Sequence, residues 1–137
     1  MKRPYQSLSG PWAFNNFISD AINRKTIKVL GDGSTVRALL YASDTAFWIL
    51  KTLVHAESGS KYNLGSPIGI SIKELANKIQ NYLNVSNDVL FCAGMSAAHK
   101  KSYMVADTDS IQNKFNLKLT VPLDKAIERT IKWHLIK

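Results

Sequence analysis

The sequence predicts an α/β fold, and three observations predict it. Stretches with apolar residues at helical spacing alternate with short apolar runs of strand length. Glycine, aspartate and proline mark the boundaries between them. The composition is globular, with 45% apolar and 20% charged residues. At 137 residues the chain is sized for one domain, 1–137, of about four main helices with short strands. It is too short to hold a full nucleotide-binding sheet of roughly 150 residues and a separate substrate domain as well.

Phe14, Phe17, Ile18, Ala21 and Ile22 recur at i, i+3, i+4, i+7 and i+8, one face of a helix. Ile27 to Leu30 is a strand that stops at the turn Gly31-Asp32-Gly33. Val36 to Ala42 is a second strand. Ser43 or Asp44 then caps a helix whose buried face carries Ala46, Phe47, Leu50, Leu53 and Val54. Trp48 and Ile49 widen that face. Lys61 to Leu64 is a third short strand. Ser71-Ile72-Lys73-Glu74 is a capping box and opens a helix with Ile72, Leu75, Ala76, Ile79 and Leu83 on one side. Val89 to Cys92 and Tyr103 to Ala106 are strands around a small polar loop. Asp107 caps a short helix to Phe115. Pro122 suits the first turn of the last helix, where a missing amide costs nothing. Leu123, Ala126, Ile127, Thr130, Ile131 and Leu135 form its buried stripe.

Composition removes several function classes. The single cysteine, Cys92, excludes an internal disulfide and a cysteine-based zinc cluster. No run of 18 apolar residues occurs, so no membrane span is predicted. The basic start at Met1-Lys2-Arg3 has no apolar stretch behind it, which speaks against a signal peptide and for the cytosol. His55, His99 and His134 are far apart and form no ligand pattern. Lys and Arg number 18 against 10 Asp and Glu, a net charge of +8. The densest basic pairs are Lys2-Arg3, Arg24-Lys25 and Lys100-Lys101, so no block of like charge reads as a nucleic-acid tail. Solvated lysines account for the excess most simply, and a phosphate-bearing ligand is the functional alternative.

The residues four after Tyr5, Tyr41, Tyr62, Tyr82 and Tyr103 are Ser9, Thr45, Ser66, Ser86 and Asp107, so Tyr-x-x-x-Lys is absent. Neither Gly-x-Gly-x-x-Gly nor a Gly-x-x-x-x-Gly-Lys-Ser/Thr loop occurs.

Gly31-Asp32-Gly33-Ser34-Thr35-Val36-Arg37, followed by Leu40-Tyr41-Ala42-Ser43-Asp44, resembles a segment of the NAD-dependent epimerase/dehydratase family. These are extended short-chain dehydrogenases that modify nucleotide sugars. Other stretches resemble the same family in order: Arg3-Pro4-Tyr5 to Gly10-Pro11, Asn16-Phe17-Ile18, Tyr62-Asn63-Leu64-Gly65-Ser66, Ser71-Ile72 with Glu74-Leu75, and Asp107 to Trp133. Each motif is weak alone; the order and spacing are specific.

The resemblance implies the C-terminal substrate-binding lobe of a Rossmann-type enzyme, with the cofactor domain absent. Residues 1–11 would be a remnant of that domain's edge strand. No cofactor is implied for this chain itself, whereas the full-length family uses NAD. The lone chain would be inactive, because the dinucleotide loop and the catalytic tyrosine and lysine are missing. Arg37 stands where the family binds the substrate diphosphate, and a guanidinium fork matches phosphate oxygens. Asn16 and Phe17 fall on the segment lining the nucleotide side, with Phe17 equally suited to the core. Lys28 and Leu30 fall on the base-contacting strand, where Leu30 replaces a frequent aromatic. Asn63 falls at a turn that shapes the pocket. Tyr103 replaces a second phosphate-binding arginine, with Lys100 and Lys101 just upstream. Ser7 and Ser9 depart from the family's Asn-x-Tyr pattern, and the loop before Asn16 is short.

The implied partners are a nucleotide-diphosphate sugar and a separately supplied cofactor domain. Self-association is the alternative, through an apolar patch expected near Pro4 to Trp12. Two other readings stand beside this one: a non-catalytic nucleotide-diphosphate binding module and, with less support, a basic nucleic-acid-binding domain.

Overall fold

A computed structural model describes residues 12–84, 88–92 and 102–136. In chain order these form α1 (Ala13–Ile22), β1 (Ile27–Leu30), β2 (Val36–Ala38), α2 (Ala42–His55), β3 (Gly69–Ser71), α3 (Ile72–Leu83), β4 (Val89–Cys92), β5 (Tyr103–Met104), α4 (Asp109–Phe115) and α5 (Leu123–Leu135). The fold is α/β, and among the described residues it has four helices of ten or more residues and a shorter fifth. The expected Pro4 to Trp12 patch, the 1–11 remnant, Lys100 and Lys101 lie outside the described residues, save Trp12, which is exposed.

Two small sheets organise the described residues. β1 pairs in parallel with β4, Ile27 opposite Val89 through Leu30 opposite Cys92. β2 is central in the second sheet, antiparallel to β3 and parallel to β5. β1 alternates strictly: Ile27 and Val29 are buried, while Lys28 and Leu30 face solvent. The main core gathers Phe17, Ile18 and Ala21 of α1 with Ile27, Val29 and Ile70, then Leu75, Ala76 and Ile79 of α3 and Ile127 and Ile131 of α5. The amphipathic faces predicted for α1, α3 and α5 are therefore the buried ones, except that Leu135 is exposed in the last turn of α5.

The capping box forms as expected. The Glu74 amide donates to Ser71 Oγ at 3.1 Å, and the Ser71 amide donates to Glu74 Oε2 at 3.0 Å. Each side chain satisfies an amide that has no partner inside the helix.

Several expectations change. The strand from Tyr103 stops at Met104, because β2 pairs with it only at Val36 and Arg37. Pro122 is the cap residue before α5, not part of its first turn. The strand from Val36 ends at Ala38, because β3 and β5 offer partners only that far. Lys61 to Leu64 forms no strand; no neighbouring strand among the described residues pairs with it. α4 begins at Asp109 with Thr108 as its cap residue, and Asp107 Oδ1 instead accepts the Asp109 amide at 3.1 Å.

The largest change concerns α2. Neither Ser43 nor Asp44 is its cap residue: Tyr41 precedes the helix with no side-chain bond. Trp48 and Asp44 are the buried residues, whereas Phe47, Leu50, Leu53 and Val54 are exposed, together with Ile49. Trp48 joins a second, smaller cluster with Ile111, Phe115 and Leu117, and its Nε1 reaches the Lys118 carbonyl at 3.4 Å. The apolar periodicity of α2 is real, but the side that meets the rest of the chain is the one carrying Asp44 and Trp48.

Candidate functional site

The turn between β1 and β2 positions the site. Gly31 and Gly33 have φ values of 79° and 74°, a region that favours glycine. Asp32 Oδ1 accepts the Ser34 amide at 2.8 Å and closes the turn. Gly33 also lies hard against the start of α3. A Cβ there would stand 2.9 Å from Lys73 Cβ and 3.0 Å from Phe91 Cε1. The Lys73 amide donates to the Gly33 carbonyl at 3.0 Å, and the Ile72 amide donates to the Thr35 carbonyl at 2.9 Å. The absent side chain of Gly33 thus serves helix packing. The side of Gly33 that a side chain would occupy is filled by Lys73 and Phe91.

Four residues on, β2 carries Arg37, half-buried. Its Nη1 donates to the Val36 carbonyl at 2.8 Å and to Ser102 Oγ at 3.2 Å, with the Ser102 carbonyl at 3.4 Å. The ion pairs among the described residues are Lys78–Asp124, Lys114–Glu57 and the two that Glu128 makes with Lys125 and Lys132. No carboxylate pairs with Arg37 among the described residues. Its Nη2 and Nε have no hydrogen-bond partner there either.

The other sequence-derived candidates scatter around this strand. Register places Met104 and Ile70 beside Arg37, and Tyr103 and Ser71 beside Val36. Paired residues share a face of a sheet, so Arg37 and Tyr103 project to opposite faces. The Tyr103 hydroxyl lies instead near Gly69, 3.8 Å from where a Cβ would stand. Lys28 and Leu30 share the exposed face of β1, Leu30 at 75% exposure. Phe17 is 2% exposed and belongs to the main core, and Asn16 is exposed on α1. Asn63 Nδ2 donates to the Asp107 carbonyl at 3.0 Å. It lines a polar recess of about 220 Å³ with Lys61, Tyr62, Asp107, Ser110 and Ile111, which Arg37 does not reach. No group of three metal-ligating side chains occurs among the described residues.

Sequence reasoning missed Ser102. It lies 65 residues from Arg37 at the edge of the β4–β5 connection, and no local pattern announces the contact. Reasoning also missed the apolar groove of about 480 Å³ between α1, α2 and α5, lined by Phe14, Leu39, Tyr41, Ile49, Ala126 and other residues.

Residues 7–65 match the family model described as NAD dependent epimerase/dehydratase family. The chain belongs to that family. Low-salt glycan biosynthesis protein Agl12 of Haloferax volcanii is 33% identical over 92 residues, covering 67% of this chain and 30% of that protein. A probable dTDP-glucose 4,6-dehydratase of Sinorhizobium fredii is 26% identical over 125 residues, 86% of this chain and 35% of that protein. The chain thus spans about a third of the length of these two family members.

Solved family structures share the fold. UDP-glucose 4-epimerase of Thermotoga maritima, crystallised with UDP-glucose, superposes with a TM-score of 0.85 at 16% identity, over 96% of this chain and 42% of that one. The dTDP-glucose 4,6-dehydratase of Bacillus anthracis, in complex with NAD, superposes with a TM-score of 0.79 at 20% identity, over 93% and 42%. Among the described residues, no helix is long and apolar enough to cross a membrane.

Proposed function

We propose that this chain is the nucleotide-sugar-binding portion of an NAD-dependent epimerase/dehydratase of polysaccharide or glycan biosynthesis, acting in the cytoplasm. Arg37 holds the substrate diphosphate. The observation that carries this reading is the half-buried Arg37 guanidinium, tied on one side to backbone and to Ser102, with no carboxylate partner among the described residues. A cation so placed suits an anion with two adjacent oxygens. The chain alone binds substrate without turning it over. This reading is supported by the sequence, which carries neither Tyr-x-x-x-Lys nor Gly-x-Gly-x-x-Gly.

The outer face of α2 supports a second lobe as partner. Phe47, Ile49, Leu50, Leu53 and Val54 are all exposed on it, a large apolar face for one helix. Self-association through the same face is the competing use.

Calorimetric titration with UDP-, dTDP-, CDP- and GDP-sugars tests the site. One of them binds, and Arg37→Ala weakens it about 10- to 100-fold, the worth of charge-assisted hydrogen bonds to phosphate. No binding at millimolar concentration, or an Arg37→Ala variant equal to wild type, overturns the reading. Addition of a cofactor-domain polypeptide and assay of NAD reduction tests the second lobe.

A further inference from the structure

We propose that Ser102 is the positioning residue for Arg37: its hydroxyl holds Nη1 so that the Nη2–Nε edge of the guanidinium faces the diphosphate. This rests on the reading of Arg37 given above. A guanidinium has five N–H donors in one plane and two edges that can meet a pair of oxygens. Arg37 has its Nη1 corner occupied by three acceptors: the Val36 carbonyl at 2.8 Å, Ser102 Oγ at 3.2 Å and the Ser102 carbonyl at 3.4 Å. Two N–H groups shared among three oxygens leave that corner saturated. The edge formed by Nη2 and Nε has no partner among the described residues, and its two parallel N–H groups fit a bidentate phosphate.

The three acceptors differ in what they can fix. The Val36 carbonyl belongs to the residue just before Arg37 and travels with it. The Ser102 carbonyl already accepts the Val36 amide at 2.9 Å as part of the β2–β5 ladder. Only the Ser102 hydroxyl is a side-chain contact from a distant part of the chain, just before β5, and it sets the rotation of the guanidinium about its long axis. A preorganised fork loses less freedom when it takes up its ligand. Ser102→Ala leaves the backbone ladder intact, so the fold is retained and the orienting contact alone is lost.

Inorganic pyrophosphate serves as a probe free of base and sugar. Ser102→Ala weakens its binding about 3- to 10-fold with the unfolding midpoint unchanged, Ser102→Thr restores it, and Arg37→Ala abolishes it. A second readout needs no ligand: the arginine Nη resonances of wild type and Ser102→Thr show slowed guanidinium rotation, and Ser102→Ala releases it. If Ser102→Ala binds as wild type does while Arg37→Ala does not bind, the positioning role is overturned and the diphosphate site stands. Guanidinium rotation as slow in Ser102→Ala as in wild type overturns the positioning role as well. If wild type binds neither pyrophosphate nor any nucleotide sugar, both proposals fall.

Discussion

Replacing Asp44 is the sharpest test of how this chain is held together. The carboxylate is 2% exposed, in the first turn of α2. It accepts the Thr120 amide at 3.0 Å, the Val121 amide at 3.1 Å and the Thr120 hydroxyl. These bonds join α2 to the chain entering α5, 76 residues away. Arg129 of α5 adds a favourable charge and lies over the Tyr41 ring at 5.8 Å. Asp44→Ala leaves two amides and a hydroxyl without their acceptor. Hydrogen bonds to a charged group are worth about 1.5–3 kcal/mol each and are not additive, so a loss of about 3–5 kcal/mol is expected. That is a large part of the 5–15 kcal/mol by which a typical domain is stable. Asp44→Asn keeps the volume but turns an amide group toward donors, and should lose about 2–3 kcal/mol. Urea unfolding followed by circular dichroism measures both, with the slope against denaturant unchanged. A loss under about 1 kcal/mol for Asp44→Ala would refute the claim that this carboxylate holds the two helices together. The pH dependence gives a second check. Burial alone would raise the Asp44 pKa, but the Thr120 hydroxyl, the Val121 and Thr120 amides and Arg129 outweigh it and hold the value below the ordinary 3.8. A lowered folded pKa means stability is fully present above the unfolded value and is lost as pH falls through the folded one. Wild type should therefore lose the Asp44 share only below about pH 4, and Asp44→Asn should lack that part of the acid transition.

Three further outcomes follow from the same geometry. Gly33→Ala should destabilise by about 2–4 kcal/mol, from positive φ together with the clash against Lys73 and Phe91, while Gly31→Ala, with nothing within 4 Å, should cost only about 1 kcal/mol; equal losses in urea melts would contradict the packing role of Gly33. Glu128, bonded first by Lys125 and then by Lys132 at 2.7 Å each, has its pKa drawn from 4.5 to about 2. Its contribution is present above pH 4.5 and fades toward pH 2, and Lys125→Met should raise the midpoint of its carboxyl resonance in an NMR titration. Ser71→Ala removes the acceptor of the Glu74 amide and should cost about 1 kcal/mol by thermal melting, with Ser71→Asp close to wild type.

Helices with one dominant apolar stripe were legible in the sequence, because α1, α3 and α5 each cover the same core with it. The Ser71–Glu74 box was legible because it is local. α2 was not. Periodicity identifies a face of the helix but not what lies against it, and Trp48 finds Ile111 and Lys118 from far along the chain. A carboxylate inside the protein, such as Asp44, looks like a cap until Thr120 is seen beside it. Lys61 to Leu64 has the composition of a strand, but a strand exists only with a partner. Arg37 was singled out through its Gly-Asp-Gly spacing, and the packing of Gly33 against Lys73 and Phe91 gives that spacing a structural reason. The separation of Tyr103 from Arg37 depends on register, which no local pattern encodes. Ser102 was hidden for the same reason.

The division of the apolar residues into two clusters has a dynamic consequence. The larger one clamps α1, α3 and α5 around β1, whereas Trp48, Ile111, Phe115 and Leu117 bind α2 to α4 with far fewer buried side chains. Elements held by less buried surface open at lower free energy, in cooperative units. Native-state hydrogen exchange should therefore resolve two tiers, with the α2 amides released by a sub-global opening that leaves those of α3 protected. The strand bearing Arg37 leans on the slower tier through Ile70 and the amide bonds to α3. The strand bearing Arg37 can thus keep its shape while α2 opens.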